Sequence, residues 1–299
     1  MKRALLIFGI IGLLFCHFYL PRIITQIDHP LISIFRKERG SEISYEKDGV
    51  KGESISFNSF DNTKISGFLC HSALPETKAT VLLLHGIRSD RNSYLALSKE
   101  LSQLGYATVA IDLRAHGKSG GTHCTFGVKE KKDISMLIDL LEEVHGVTKV
   151  GVWGRSLGGA VALQAMAVDA RIQFGIVESS FSSFNQICQD YMGYYLGMSN
   201  RLFSNYLVAR AGAIADFDPK KSDPYTSCAS IQQPILIVHG DMDERISFHY
   251  GESNYKNLGS DYKRFILLEG GNHSNIWEKG GNEYFNSIYD FLEKNVLVK

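Results

Sequence analysis

Short apolar runs alternate with helix-length stretches from residue 53 onward. Eight of these runs are rich in β-branched or aromatic residues and have the length of strands: Glu53–Asn58, Lys64–Cys70, Thr80–Leu84, Ala107–Ile111, Lys149–Trp153, Phe174–Val177, Pro234–Val238 and Arg264–Leu268. The stretches between most of them are long enough for helices. This alternation predicts an α/β fold, with a mostly parallel eight-stranded sheet flanked by helices.

Patterns inside the runs add detail to this prediction. Val81–Leu84 and Ile235–Val238 are continuously apolar, as expected for strands that are covered on both faces. The first two strands are joined by Asp61-Asn62, which predicts an antiparallel hairpin at the edge of the sheet. We also predict helices over Lys132–His145, which carries an apolar stripe, and over the Ala-rich segment Ser156–Ala170.

One stretch, from Phe184 to about Ala215, breaks the alternation. It is rich in aromatic residues and contains no strand pattern, so we predict a helical cap insertion over about 184–215. The tyrosines Tyr191, Tyr194 and Tyr195 either pack the cap on the body or line a substrate pocket. In the second case the wall is apolar and favours a neutral acyl chain over a charged peptide terminus, because burying an unpaired ammonium is costly.

The N-terminus carries a separate apolar run. Residues 4–20 contain no Asp, Glu, Lys or Arg; His17 interrupts the apolar run, and Pro21 ends it. Its length lies at the low edge of a membrane span and just above a signal-peptide core. Bulky residues stand where a signal peptidase needs small ones, which favours an uncleaved single-pass anchor over 1–22. Secretion after cleavage and a buried helix of a soluble protein are the alternatives. Basic residues on both sides leave the orientation open.

Behind this anchor we predict a juxtamembrane segment over 23–52 and a globular domain over 53–299. The chain of 299 residues carries 32 Lys and Arg against 32 Asp and Glu, so no net charge points to nucleic acid as a partner. Its five cysteines lack any CxxC spacing, which argues against a disulfide framework and a zinc site. His123-Cys124 has no spaced partner ligands, and we predict no metal there.

A candidate nucleophile lies in Gly154-Arg155-Ser156-Leu157-Gly158, which matches GxSxG. The motif alone is a weak signal, and a serine in the first turn of an ordinary helix is the alternative. Its setting strengthens it, because the motif falls between the apolar strand Lys149–Trp153 and an Ala-rich helix. A nucleophile elbow requires this strand–turn–helix setting. We therefore predict that Ser156 is the nucleophile.

The partners of Ser156 are expected after the last two strands. Asp241 and Asp243 both follow Pro234–Val238 and compete for the role of the acid. His273 ends a Gly-rich stretch that comes directly after Arg264–Leu268, and we predict it to be the general base. The chain order Ser, Asp, His differs from the orders found in other triad proteases.

Two further motifs carry a family resemblance. Asp112 to Ser119 looks like a D-x-R-G-H-G-x-S loop, with Ala115 in place of the first Gly, and His239 to Asp243 looks like HGxxD. With the elbow, these motifs resemble the α/β-hydrolase superfamily from the strand at 53–58 to the C-terminus. The closest branch is that of the serine-aminopeptidase-like and monoacylglycerol-lipase-like hydrolases, including members with an N-terminal membrane anchor. Ser247 stands where relatives commonly have Pro.

The resemblance implies a function and assigns further roles. By this resemblance, the catalytic acid is Asp243 rather than Asp241. It implies an oxyanion hole made by the backbone N–H groups of Ile87, which follows His85-Gly86, and of Leu157. The expected reaction is hydrolysis of an ester, thioester or amide of a small-molecule acyl substrate through an acyl-enzyme, without cofactor or metal. A peptidase, or a membrane-anchored binding protein on the same fold, is the alternative.

Overall fold

All eight strands of the fold lie in one sheet. The computed structural model describes residues 2–28, 45, 48, 50–197 and 200–296. The strands are β1 (Gly52–Asn58), β2 (Lys64–Cys70), β3 (Thr80–Leu84), β4 (Ala107–Asp112), β5 (Val150–Arg155), β6 (Ile172–Glu178), β7 (Ile235–Gly240) and β8 (Lys263–Leu268). Their order is β1-β2-β4-β3-β5-β6-β7-β8; the pairs β1–β2 and β2–β4 are antiparallel, and the other neighbouring strands are parallel. The predicted fold class is confirmed.

The helices mostly connect successive strands. They are α1 (Lys2–Leu14), α2 (Leu20–Thr25), α3 (Leu95–Gln103), α4 (Glu130–His145), α5 (Leu157–Met166), α6 (Phe184–Leu196), α7 (Arg201–Ala215), α8 (Pro224–Cys228), α9 (Phe248–Asn257) and α10 (Ile276–Val296). Helix α4 ends at Gly146, which adopts a left-handed conformation that suits glycine. Helix α5 ends four residues before the predicted end, because the chain turns at Asp169 to enter β6.

The sheet is buried on both faces. Leu82 and Val152 point into a core that is shared with α4 and α5, whereas Leu83 and Trp153 point into a second core under α3 and α10. Successive side chains of a strand point to opposite faces. A strand that is covered on both sides must therefore be continuously apolar, which explains the pattern of β3 and β7.

The predicted hairpin forms at the edge of the sheet. Phe57 pairs with Ile65 across β1 and β2, and Asn62 adopts φ +61° in the connecting turn. The cap is built from α6 and α7, which lie between β6 and β7, as the pattern predicts. Phe184 at the start of α6 stacks on Phe126 with ring centroids 4.1 Å apart, and this contact attaches the cap to the body.

The N-terminal run is helical and is divided into three parts. Helix α1 leads into a π-helical turn at Phe15–Tyr19 and then into α2, which starts with Pro21 in its first turn. Within the part of the chain that the structure describes, no helix combines the length and the apolar character needed to cross a membrane. The anchor over 1–22 stays a prediction, and most of the predicted juxtamembrane segment 23–52 lies outside the described residues.

Candidate active site

Ser156 lies in a sharp turn between β5 and α5. Its backbone adopts φ +56° and ψ −117°, a strained conformation for a residue with a side chain. The flanking glycines permit this turn. A Cβ atom at Gly154 would stand 2.2 Å from the Gly158 carbonyl oxygen, and a Cβ atom at Gly158 would stand 1.9 Å from the Leu84 carbonyl oxygen. Strand and helix therefore approach so closely that neither position admits a side chain.

Three predicted residues meet at this turn. Ser156 Oγ lies 3.2 Å from Nε2 of His273, and Nδ1 of the same ring lies 2.8 Å from Oδ2 of Asp243. The serine and the aspartate are buried, and the histidine closes the chain of contacts between them. Nδ1–H donating to the carboxylate leaves Nε2 free to accept a proton from the serine hydroxyl. This is the geometry of a nucleophile, a base and an orienting acid.

The Asp243 carboxylate is held in its ionised form. Its Oδ1 accepts hydrogen bonds from the backbone N–H groups of Arg245 and Ile246, at 3.0 and 2.9 Å. Burial would raise the pKa of this carboxyl group, but the hydrogen bonds from His239, His273 and Ile246 outweigh burial and hold the pKa well below its ordinary value.

Asp241, the competing aspartate, has a different contact. Its Oδ1 accepts a hydrogen bond of 2.7 Å from the backbone N–H of Gly270, three residues before His273. The carboxylate therefore ties the loop after β8 to the loop after β7. Asp241 acts on the backbone of the histidine loop, whereas Asp243 acts on the imidazole.

The loop after β3 passes beside Ser156. A Cβ atom at Gly86 would lie 3.9 Å from Ser156 Oγ, so Ile87 follows directly at the site. His85 is buried, its Nε2 accepts from the backbone N–H of Leu113, and its Nδ1 lies 2.8 Å from the Gly86 carbonyl oxygen. The imidazole thus fixes the loop. Leu157 begins α5, where the first backbone N–H groups have no acceptor within the helix.

Two cavities meet at Ser156. The first, which we call the apolar cavity, has a volume of about 350 Å³. Besides Ser156, Arg88 and Ser204, its lining residues are mainly apolar and come from α2, the cap and the body: Leu20, Ile23, Ile24, Ile87, Phe126, Leu157, Phe181, Phe184, Ile187, Cys188, Tyr191, Met192, Tyr195, Phe203, Leu207, Val208 and Ile246. The second, the polar cavity, has a volume of about 510 Å³ and includes His273, Arg88, Arg155 and Arg245. Among the described residues that line the two, none is an aspartate or a glutamate.

The three cap tyrosines differ in whether they line these cavities. Tyr191 and Tyr195 line both cavities, whereas Tyr194 is half exposed and packs edge-on against Tyr195. The one acidic residue of α6, Asp190, accepts from the Tyr250 hydroxyl and from the Gln186 amide and does not line either cavity. The cap wall that faces Ser156 is therefore apolar, as the sequence predicts for pocket-lining tyrosines.

Some residues that contact the site are not specified by any sequence motif, so the sequence did not predict their roles. The Arg155 guanidinium donates to the backbone carbonyl oxygen of His273 at 2.6 Å. Glu178, at the end of β6, is fully buried and accepts hydrogen bonds from the Trp277 indole and the Tyr284 hydroxyl. Its backbone carbonyl oxygen also accepts from the Ser156 N–H, at 2.8 Å. Arg155 occupies the variable position before the GxSxG serine, so its role depends on the fold and not on the motif.

The chain is similar to several known proteins. A family model described as Hydrolase_4, serine aminopeptidase, S33, matches residues 75–226. The chain is 24% identical to the uncharacterized protein YqkD of Bacillus subtilis (strain 168), over 98% of each chain. It is 28% identical to the lysophosphatidylserine lipase ABHD12 of Mus musculus, over 64% of this chain and 48% of that protein. An esterase of Pyrococcus furiosus has the same fold, with a TM-score of 0.71 at 20% identity over 87% of this chain and 97% of the other.

Fold, site and similarity define a serine hydrolase of the α/β-hydrolase superfamily. Because the family model spans just over half of the chain, this chain belongs to the serine aminopeptidase S33 family within that superfamily. The family description names a peptidase, whereas the named solved neighbour is an esterase.

Proposed function

We propose that the chain is a serine esterase that cleaves a carboxylic ester of a neutral acyl chain through an acyl-enzyme. The contact chain Ser156–His273–Asp243, placed where an apolar cavity meets a polar one, carries this proposal. The esterase of Pyrococcus furiosus and the mouse lysophosphatidylserine lipase support the same reaction class.

In the proposed mechanism, Nε2 of His273 takes the hydroxyl proton of Ser156 as its Oγ attacks the ester carbonyl. The backbone N–H groups of Ile87 and Leu157 stabilise the oxyanion that forms. His273 then protonates the leaving alcohol, the bond to the alkoxy oxygen breaks, and Ser156 stays acylated. A water molecule, deprotonated by His273, attacks the acyl-enzyme. The bond between the acyl carbon and Ser156 Oγ then breaks, His273 returns its proton to Oγ, and the carboxylic acid leaves. Asp243 holds the imidazole tautomer and stabilises its charged form.

The cavities favour an ester over an aminoacyl amide. The acyl part enters the apolar cavity, where burial of methylene groups supplies binding energy. An aminopeptidase must instead bind a substrate ammonium, which needs a paired carboxylate when it is buried. The described lining residues supply arginines and no carboxylate. Arg88, Arg155 and Arg245 would repel an ammonium at this position.

A substrate panel tests the reaction class. We expect short to medium p-nitrophenyl esters to be cleaved well and aminoacyl p-nitroanilides poorly, when kcat/KM is corrected for intrinsic reactivity. Ser156→Ala serves as the control for background hydrolysis. A clear preference for the anilides would identify a peptidase, and absence of turnover on the whole panel would favour a binding protein.

We also propose that the N-terminal run holds the chain at a membrane. Residues 4–20 carry no Asp, Glu, Lys or Arg, and Ile7, Phe8 and Leu13 of α1 are exposed. Carbonate extraction followed by N-terminal sequencing tests this. We expect an intact N-terminus in the membrane fraction; a mature chain that starts beyond Leu20, or an intact chain in the soluble fraction, would contradict it.

A further inference from the structure

The segment that follows the N-terminal run is seated on the catalytic body. We call residues 20–27 the docking segment. The Arg88 guanidinium donates to the Ile23 carbonyl oxygen at 3.1 Å, and the Cys124 N–H donates to the Thr25 carbonyl oxygen at 2.8 Å. The Thr25 side chain is fully buried, with Oγ1 2.9 Å from Nδ1 of His123. Ile27 is also buried in the core. These contacts place the docking segment as a fixed part of the fold.

Three side chains of the docking segment form part of the wall of the apolar cavity. Leu20, Ile23 and Ile24 line the apolar cavity that also contains Ser156. The cap helix α7 supplies other lining residues, including Phe203 and Leu207, and α2 packs against this helix. Helix α2 and the cap helix α7, which are distant in sequence, thus both contribute to the cavity wall, and α2 overlaps the end of the predicted anchor.

We propose that Leu20, Ile23 and Ile24 determine the length of acyl chain that the enzyme accepts. This inference rests on the proposed function, in which the apolar cavity holds the acyl group. The apolar side chains of the docking segment close one side of a cavity of about 350 Å³, so their size limits the room for added methylene groups. The segment at the end of the predicted membrane anchor therefore contacts the acyl chain of the substrate.

The size of the expected effect follows from the burial of methylene groups. Each additional buried methylene improves kcat/KM by up to about fourfold, which corresponds to about 0.8 kcal/mol. A smaller side chain in the wall should make room for further methylene groups, and a larger side chain should take that room away. Short substrates should respond less than long ones, because their acyl chains make fewer contacts with the wall.

Full-length variants at Ile24 provide the first test, with the ratio of kcat/KM for p-nitrophenyl decanoate to butyrate as the readout. We expect Ile24→Ala to raise this ratio by about fourfold or more and Ile24→Phe to lower it by a similar factor. Because the readout is a ratio, an effect of either variant that is common to both esters divides out. The control is Ile11→Ala, which alters an exposed residue of α1 outside the cavity and should leave the ratio unchanged. An unchanged ratio in both Ile24 variants would overturn the inference.

A second test needs no variant. Wild-type protein is treated with a fluorophosphonate that carries a decyl chain with a terminal diazirine, irradiated and mapped by mass spectrometry. We expect an adduct on Ser156 with cross-links to residues 20–24. An adduct on Ser156 with cross-links elsewhere only would overturn the assignment of the wall and leave the proposed function intact. No adduct on Ser156 would instead overturn the proposed function, and this inference with it.

Discussion

Asp243 Oδ2 lies 2.8 Å from Nδ1 of His273, whereas the carboxylate of Asp241, two residues earlier, accepts from the backbone N–H of Gly270 in the histidine loop. Because an amide has no charge to stabilise the imidazolium, we expect Asp243→Asn to lower kcat by several orders of magnitude, on the order of 10⁴.

Asp241→Asn is the matched control for this substitution. The amide oxygen of an asparagine can still accept from the Gly270 N–H, so we expect a loss of less than about tenfold. Steady-state kinetics on one ester compares the two variants. Equal losses, or a larger loss from Asp241→Asn, would reject the assignment of the acid.

The sequence predicted these two aspartates as candidates, but the residues alone did not choose between them. The family pattern HGxxD pointed to Asp243, and the geometry of the site now gives a physical reason, because only Asp243 reaches the ring. The strands of the core were predictable for a similar reason. Strands covered on both faces must be continuously apolar, as Val81–Leu84 is, and this pattern is visible without any long-range information.

The walls of the apolar cavity were not predictable in the same way. Ile23 and Ile24 follow the N-terminal apolar run, in the predicted juxtamembrane segment, and nothing local places them near Ser156. Their position depends on contacts such as those of Arg88 and Cys124, which are distant in sequence. The role of Asp241 is equally hidden, because a backbone contact between two loops leaves no residue pattern.

The glycines around the elbow give a prediction that separates folding from catalysis. Gly158→Ala would place a methyl group 1.9 Å from the Leu84 carbonyl oxygen, and we expect it to lower the free energy of unfolding by at least about 2 kcal/mol. In Gly86→Ala, the new methyl group would lie 3.5 Å from Ser156 Cβ, which is an ordinary van der Waals distance. The free energy of unfolding should therefore change by less than about 1 kcal/mol.

The Gly86 variant should nevertheless lose activity. Its methyl group would stand 3.9 Å from Ser156 Oγ, in the space that the substrate carbonyl needs, and we expect kcat/KM to fall by roughly tenfold or more. Urea denaturation and ester kinetics on both variants check the pair. A stable Gly158→Ala protein, or a fully active Gly86→Ala protein, would contradict the close approach of these segments.

Substitutions at Glu178 test whether its hydrogen bonds with Trp277 and Tyr284 stabilise the fold near the site. Glu178→Met removes the acceptor for the Trp277 indole N–H and the Tyr284 hydroxyl. We expect it to lower the free energy of unfolding by about 1–3 kcal/mol for each donor left without a partner. Glu178→Gln keeps an acceptor oxygen and should cost less. Urea denaturation measures both, and equal losses would show that hydrogen bonding at Glu178 is not what stabilises this region.

The lowered pKa of Asp243 predicts a pH dependence of stability. A carboxyl group whose folded-state pKa is depressed stabilises the fold fully above its unfolded value of 3.8, and this contribution is lost as the pH falls through the folded pKa. The difference in the free energy of unfolding between wild type and Asp243→Asn should therefore shrink below about pH 4. A difference that stays constant or grows between pH 7 and pH 3 would be inconsistent with an ionised Asp243.

The central claim is that Ser156 is a nucleophile activated by His273. The most direct measurement is labelling of the full-length protein with a small fluorophosphonate, followed by mapping of the modified residue. We expect one adduct, on Ser156, with no labelling of Ser156→Ala and slow labelling of His273→Ala, because the serine hydroxyl then lacks its base. Labelling of another residue, or an unmodified Ser156 in folded wild-type protein, would contradict the account.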